Sequence, residues 1–348
     1  MSRYATRTAR RRSMATILGG VLLSAAVSVG YAEPPPKLAP EAIQWKPASI
    51  FEKDAKGELR NQPRMNLSGA ACVPTTPKFT SCLIANDEKK YAQFFSIDGD
   101  TLTPRKLIRL SDEKNDPDAE GVAYADGFFY VTGSHGRSRH GDKGNRSSYA
   151  VFRIPVDPAT GIPRFEPDEE RVVGVKTSAR LRKAIRKGDI IKDFFNESLA
   201  EGGVNIEGIA VKNGRMHLGL RGPSKGGKAF VLSVDADAVF TRDGDLKDKV
   251  TALPLGRNTG IRDLAAVNDG ILILAGPTRD ETVPFSIWFW DGVGTTAMPL
   301  RTLDLSSVKK GAKAEILLPL EEDSSNIRVL VMFDGVENGG AVSFKIPR

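Results

Sequence analysis

The sequence predicts an all-β protein that folds as a β-propeller of about five blades. Three observations lead to this prediction: one strand opening recurs five times, Gly-containing turns follow several copies, and the copies are similarly spaced. The second positions of the openings are residues 68, 120, 207, 262 and 315, which lie 52, 87, 55 and 53 residues apart. Periods near 50 with several short strands each are typical of propellers, because one small sheet cannot bury both faces alone.

Each opening predicts the innermost strand of a blade. Asp126-Gly127, Asn213-Gly214 and Asp269-Gly270 follow three of the openings and supply the positive φ angles of a tight hairpin. Apolar or alternating segments after these turns predict the second strands. The openings read LSGAA at 67–71, AEGVA at 119–123, IEGIA at 206–210, IRDLA at 261–265 and AEILL at 314–318.

The longest interval contains a predicted helical insertion near residues 177–200. Apolar residues spaced among charges indicate one or two amphipathic helices, broken near Gly188. A degenerate sixth blade in this interval is the alternative. The basic residues of the insertion could bind an anionic surface, although a solvated helix face is the simpler explanation. They are Arg180, Arg182, Lys183, Arg186 and Lys187.

The segment Ala42–Phe51 is expected to form an edge strand. The last repeat has room for only three strands after Lys313. We therefore expect Ala42–Phe51 to supply the outer strand of the last blade and close the ring, which would remove exposed strand edges.

Residues 1–32 predict a secretory signal peptide. Five arginines and no acid precede an apolar run from Met14 to Val29, and Gly30 and Ala32 stand at positions −3 and −1 of a cleavage site. An uncleaved anchor is the alternative, but the run is short and rich in small residues.

Export by the Sec route is expected rather than the twin-arginine route, because the usual bulky apolar residue after Arg11-Arg12 is missing. The expected location is periplasmic or secreted. Residues 33–40 then form a Pro-rich linker, and residues 41–348 form a single propeller domain.

The net charge of +7 comes mostly from the leader, whose removal leaves 45 basic and 43 acidic residues. This near balance excludes a nucleic-acid-binding protein of the strongly basic kind. No later run of about 18 apolar residues exists, so we expect no membrane span in the mature chain. We expect a monomer, with a small anionic molecule or a protein as partner.

Cys72 and Cys82 are the two cysteines of the chain. They stand on either side of Pro74-Thr75-Thr76-Pro77, where a hairpin would place them opposite each other. An oxidising compartment permits a disulfide, which we predict. Two buried thiols are the alternative.

Charged residues of both signs are expected to meet at one mouth of the central channel. In a propeller the inner strand starts on the face to which the second strand returns, so strand starts lie near the loops after second strands. From this set we predict Glu120, Glu207 and His135 as catalytic residues. The predicted substrate-binding residues are Arg137, Arg139, Arg221, Arg262 and Asp263.

A structural role is the alternative for Glu120 and Glu207. A Glu-Gly pair at a strand start could accept backbone N–H bonds from a neighbouring blade and fix its register. For loop residues such as His135, Arg137 and Arg221, a functional role is the better explanation, because polar residues in loops are less often required for the fold.

Alternating carboxylates in D-P-D-A-E-G at 116–121 could serve a hard cation such as Ca²⁺ or Mg²⁺. Asp118, Glu120 and Glu207 are the candidate ligands. The segment is not an EF-hand, because Gly127 stands where that loop needs its last Glu.

The sequence resembles a bacterial family known only as domain of unknown function 3616. The resemblance rests on D-A-E-G-V-A-Y at 118–124, G-S-H-G-R-S-R at 133–139, N-I-E-G-I-A-V at 205–211 and L-G-L-R-G-P at 218–223. More remotely, the E-G-[IV]-A openings are similar to those of phytase-like and esterase-like propellers and of calcium-dependent lactonase propellers. The lactonase likeness implies a metal-ligand role for Glu120 or Glu207.

Two functions follow from these observations. The first is an exported hydrolase of ester, lactone or phosphoester type, with its site on the channel face that carries Glu120, Glu207, Arg221 and His135. The second is a non-catalytic propeller that binds a ligand or a protein with the same face.

Overall fold

A computed structural model describes residue 1 and residues 35–52, 65–74, 79–137 and 145–348. Residues 34–348 form one compact unit. Apart from residue 1, the predicted signal peptide lies outside the described residues, and so does Arg139.

The described strands form five sheets, which are the five blades of a β-propeller. Two short strands precede the blades, β1 (Lys37–Leu38) and β2 (Lys46–Pro47). Blade 1 contains β3 (Leu67–Cys72), β4 (Phe79–Asn86), β5 (Tyr91–Asp98) and β6 (Thr101–Arg109). Blade 2 contains β7 (Ala119–Ala125), β8 (Phe128–Gly133), β9 (Val151–Pro155) and β10 (Lys176–Ser178).

Blades 3 to 5 continue the same antiparallel pattern from the inside outwards. Blade 3 contains β11 (Asn205–Lys212), β12 (Arg215–Lys225), β13 (Lys228–Asp235) and β14 (Lys249–Leu253). Blade 4 contains β15 (Thr259–Val267), β16 (Gly270–Pro277), β17 (Ser286–Trp290) and β18 (Met298–Leu303). Blade 5 contains β19 (Lys313–Glu322), β20 (Asn326–Asp334) and β21 (Val342–Pro347). The predicted all-β propeller is confirmed, with five blades.

The core is divided into hydrophobic clusters that lie between neighbouring blades. Phe94 of blade 1 and Phe129 of blade 2, for example, pack edge to face with ring centroids 5.9 Å apart. Similar clusters join blades 2 and 3, 3 and 4, 4 and 5, and 5 and 1. Each blade is thus buried on both faces only when its neighbours are present.

Glycines in the openings allow the inner strands to approach each other closely. A Cβ atom on Gly121 would lie 2.7 Å from the carbonyl oxygen of Glu207, and one on Gly208 would lie 2.7 Å from the backbone of Asp263. These glycines are therefore packing residues of the channel wall, required where one backbone meets the next.

The N-terminal segment follows the outer edges of three blades. Strand β1 pairs in parallel with β18 of blade 4, and β2 pairs in parallel with β6 of blade 1. Between them, the Glu41 amide donates to the carbonyl oxygen of Ser343 in blade 5. The prediction that Ala42–Phe51 forms the outer strand of the last blade is wrong, because β2 within this segment pairs with blade 1 and the described strands of blade 5 number three. Four prolines between residues 35 and 47 prevent a continuous ladder, because proline has no N–H to donate.

The insertion between blades 2 and 3 contains short helical turns instead of long helices. Strand β10 already uses Thr177 and Ser178. One α-helical turn follows, α1 (Leu181–Ile185), and then two 3₁₀ turns at Ile191–Phe194 and Leu199–Glu201. Another short helix, α2 (Ala236–Val239), follows β13. Of the helices in the described part of the chain, none has the length and apolarity to cross a membrane.

Cys72 and Cys82 occupy opposite positions on β3 and β4 and form a disulfide. The predicted bridge is confirmed.

Candidate functional site

Every inner strand carries a β-bulge at the second position of its opening. The pairing skips Glu120 between Ala119 and Gly121 of β7, and it skips Glu207 in the same way on β11. Arg262 and Glu315 are skipped on β15 and β19, while on β3 the irregularity spans Ser68 and Gly69. A bulge leaves its extra residue unpaired and redirects its side chain. Five polar side chains thus meet at one end of the channel.

Glu207 lies between two guanidinium groups. Arg221 on β12 donates to Oε1 at 2.8 Å, and the Nε atom of Arg262 lies 3.0 Å from Oε2. Asn205 also donates to Oε1 at 3.1 Å. All four side chains are buried.

Arg262 continues the network to the last blade, where its second guanidinium nitrogen contacts Glu315. Burial raises the pKa of Glu315 to about 7, although Arg262 opposes the shift. Asp263, one residue after Arg262, accepts hydrogen bonds from the amides of Leu264 and Leu317, both at 2.8 Å. Blades 3, 4 and 5 are therefore joined through buried polar groups.

Glu120 has no guanidinium partner in the described structure. Its Oε2 accepts a hydrogen bond of 2.7 Å from the Ser68 hydroxyl of blade 1. Burial raises its pKa well above the usual value, and the carboxylates of Asp118 and Glu207 add to the shift. Asp118, which accepts a hydrogen bond from Ser134, also has a raised pKa because it is buried. At this side of the mouth, burial therefore favours the protonated form of both carboxyl groups.

Asp87, which the sequence did not single out, belongs to the same mouth. It follows β4, as Ser134 follows β8, and within the described part of the chain its Oδ1 has no hydrogen-bond partner. Burial raises its pKa to about 8, and nearby Glu315, Asp334 and Asp118 contribute. Extending the alignment of second strands to blade 1 would have found Asp87, because it directly follows the second strand of its blade, as the mouth loops of the other blades do.

His135 and Arg137 lie at the edge of the mouth, towards the insertion. The His135 ring packs against Tyr149 with centroids 6.0 Å apart, and neither of its nitrogens has a hydrogen-bond partner among the described residues. Burial lowers its pKa to about 3, so the ring is neutral. Arg137 donates to the carbonyl oxygen of Asn196 at 2.6 Å. Of the predicted site residues, these two face the insertion, whereas Glu120, Glu207, Arg221, Arg262 and Asp263 lie together.

The candidate metal ligands do not form a shared set. In the described part of the chain, no group of three or more His, Cys, Asp or Glu side chains has an arrangement that could hold a metal ion. Asp118 and Glu120 contact hydroxyl groups, whereas Glu207 contacts arginines. Binding of Ca²⁺ or Mg²⁺ stays a prediction.

The polar cluster separates the mouth from a cavity of about 540 Å³ in the other half of the channel. Segments of all five inner strands line this cavity, and most of their side chains are apolar. It opens towards the hairpin turns. The chemistry-bearing residues therefore occupy one end of the channel only.

The fold is similar to several solved structures of larger proteins. An exo-β-1,3-galactanase from Phanerochaete chrysosporium aligns at 9% identity with a TM-score of 0.46, over 86% of this chain and 63% of that one. A GH43 protein of a Bacteroides ovatus xyloglucan locus aligns at 13% identity and 0.45, over 82% and 53%. Hydrazine synthase of Kuenenia stuttgartiensis aligns at 10% identity and 0.37, over 77% and 56%. The chain thus spans less than two thirds of each.

Comparison of the sequence with curated proteins finds no match. A family model described as protein of unknown function (DUF3616) matches residues 82–341, which run from blade 1 into blade 5. The chain therefore belongs to the DUF3616 family.

Proposed function

We propose that the protein is a hydrolase that uses carboxyl groups at the polar mouth of the channel for acid–base catalysis. Glu120 is the general acid, and Asp87 and Asp118 titrate together with it. Glu207, Arg221 and Arg262 form the charged frame that holds the site.

The observation that carries this proposal is the contrast between two carboxylates at equivalent positions. Glu207 contacts two guanidinium groups, whereas Glu120 contacts a hydroxyl and lies near other carboxylates. The paired environment places Glu207 in an ion-pair network, whereas the environment of Glu120 favours the protonated form. Enzymes that need an acid and a base at neutral pH commonly separate two carboxyl groups in this way.

The protonation of Asp87, Asp118 and Glu120 is coupled. Asp118 raises the pKa of Asp87, and Asp118 and Asp87 both raise the pKa of Glu120. Such a group loses its protons in steps, so a carboxylic acid and a carboxylate coexist over a range of pH. The acid can protonate a leaving group, and the carboxylate can activate a water molecule.

The ion pairs of the mouth favour a neutral substrate. Both arginines already contact buried carboxylates, Glu207 and Glu315. A phosphoester dianion would have to displace these carboxylates to reach a guanidinium group, whereas a neutral ester or lactone would not. We therefore infer an ester or lactone as substrate.

A substrate screen tests the proposal. The chain of residues 33–348 is incubated with esters, lactones, glycosides and phosphoesters, with and without chelator. Hydrolysis of a neutral ester or lactone should fall by about 10²-fold or more in Glu120→Gln at unchanged melting temperature. Glu113→Gln, on an exposed loop, is the matched control and should retain activity.

Absence of turnover on every substrate, together with a ligand-induced rise in melting temperature, would contradict the proposal and favour a binding module. Activity that disappears with chelator would assign the chemistry to a bound cation instead.

A further inference from the structure

A basic surface on the insertion is distinct from the channel mouth. Helix α1 buries Leu181, Ala184 and Ile185 against the core between blades 2 and 3. The other side of this turn and the residues after it expose Arg182, Lys183, Arg186, Lys187 and Lys192. We call these five residues the basic patch.

No ion pair joins a cation of the basic patch to a carboxylate in the described structure. Two exposed acids, Asp189 and Asp193, lie in the same segment, so residues 182–193 carry five cations and two acids, a net charge of +3. Arg182 and Arg186 stack over aromatic rings, with the Arg182 guanidinium 4.9 Å from the centroid of Tyr149. By contrast, the hydrogen bonds of Arg180 are made within the protein, since it donates to backbone carbonyls of residues 238–244. The patch therefore presents positive charge that is held in place and available to a partner.

A strained apolar residue lies within the same patch. Ile190 has φ 68° and ψ −53°, and the amide of Ile191 donates to the carbonyl oxygen of Asp189 at 2.8 Å. This is a γ-turn with positive φ, a rare and strained form that a β-branched residue seldom adopts. Ile191 is fully buried, whereas the side chain of Ile190 is 38% exposed. The turn thus holds an isoleucine outwards between Lys187 and Lys192, in a segment that also exposes Asp189 and Asp193.

We propose that the basic patch, together with the exposed Ile190, docks the protein on an anionic lipid surface. Exposed lysines and arginines are attracted to acidic headgroups, and an apolar side chain among them can enter the headgroup boundary. A soluble polyanion would use the charges but gain nothing from Ile190. Backbone strain is common at functional sites, and here it holds an apolar side chain at the surface.

Vesicle co-sedimentation tests the docking surface. The chain of residues 33–348 should bind vesicles that contain phosphatidylglycerol, bind poorly to pure phosphatidylcholine, and lose binding at high salt. Lys183→Gln combined with Lys187→Gln should weaken partitioning about 30-fold, the effect of two charges of ~1 kcal/mol each. Lys114→Gln combined with Lys310→Gln, two exposed lysines elsewhere, is the charge-matched control.

Ile190 provides an independent readout. Ile190→Gly should raise the melting temperature, because glycine adopts the positive φ without strain, and should weaken vesicle binding several-fold. Ile162→Ser, at an isoleucine that is 62% exposed on blade 2, is the control and should bind normally.

Equal binding to neutral and acidic vesicles would overturn the proposal, as would equal losses in the lysine pair and its control. Binding to a soluble polyanion with the same affinity, unaffected by Ile190→Gly, would assign the patch to an anionic polymer and also overturn it.

Discussion

The Nε atom of Arg262 lies 3.0 Å from the Oε2 atom of Glu207, although the two residues belong to different blades. The same guanidinium also contacts Glu315, so one buried cation joins three blades. Arg262 is 1% exposed, and its neighbours have little access to water. The polar mouth is therefore both a structural junction and the proposed site.

Removal of the shared cation should strongly destabilise the propeller. In Arg262→Met, Glu207 and Glu315 would lose a partner while remaining buried, which costs about 3–5 kcal/mol in the free energy of unfolding. Arg164→Met, at an exposed site, is the control. Denaturant melts measure both variants. A loss below ~1 kcal/mol in Arg262→Met would show that the junction does not hold the blades together.

The pH dependence of stability should reveal Asp87. Its pKa is raised from 3.8 to about 8, so the folded state holds a proton that the unfolded state releases. Its contribution is fully present below about pH 4 and is lost as the pH rises towards 8. Asp87→Asn should therefore raise the melting temperature relative to wild type at pH 8 and change it little at pH 4.

His135 gives the opposite pH dependence of stability. Burial lowers its pKa from 6.5 to about 3, so the unfolded state gains a proton that the folded state does not, and the fold is destabilised as the pH falls below 6.5. The comparison of Asp87→Asn with wild type at each pH removes this background. A constant difference across the range would contradict the assignment to Asp87.

The inner strands should not tolerate a side chain at the closest backbone contact. Gly121→Ala places a Cβ 2.7 Å from the Glu207 carbonyl oxygen, and we expect a loss of about 1–3 kcal/mol. Gly294→Ala meets only the flexible Asp291 side chain, at 3.2 Å or more, and should be nearly neutral. Thermal melts of the two variants decide the point; equal stabilities would mean that the strands can separate without cost.

Reduction of the disulfide should destabilise blade 1. The bridge spans 10 residues of sequence, for which the loop-entropy model gives ~3 kcal/mol. The double variant Cys72→Ser with Cys82→Ser should lose a similar amount and become insensitive to reductant. A wild-type protein whose melt is unchanged by reductant would contradict this prediction.

The N-terminal segment should act as an outer belt. Trp45 donates to the Ser343 hydroxyl at 3.0 Å and packs against the core between blades 5 and 1. A chain that begins at residue 49 should lose ~3 kcal/mol or more, the scale of one packed Trp. Hydrogen exchange should accelerate in β6, β18 and β21, which the segment covers. Unchanged exchange in these strands, relative to a chain that begins at residue 33, would refute the belt.

The blades could be predicted from the sequence because turns and alternating strands are local signals. The position of Glu120 and Glu207 at one mouth followed from topology, and the pairing of Cys72 with Cys82 followed from one hairpin. The partners of each carboxylate could not be predicted, because Arg262 is distant in sequence from Glu207 and the bulge that turns it inwards leaves no local mark. Asp87 was missed because the loop after β4 has no motif of its own.

The protonation state of Glu120 is the most direct test of the account, and difference infrared spectroscopy at pH 7 measures it. The wild type minus Glu120→Gln spectrum should contain the C=O stretch of a protonated carboxylic acid. The corresponding spectrum for Glu169→Gln, an exposed residue whose pKa is lowered by its hydrogen bond with Lys106, should contain carboxylate bands only. Carboxylate bands alone in the Glu120 spectrum would show an ionised side chain and would contradict its role as general acid.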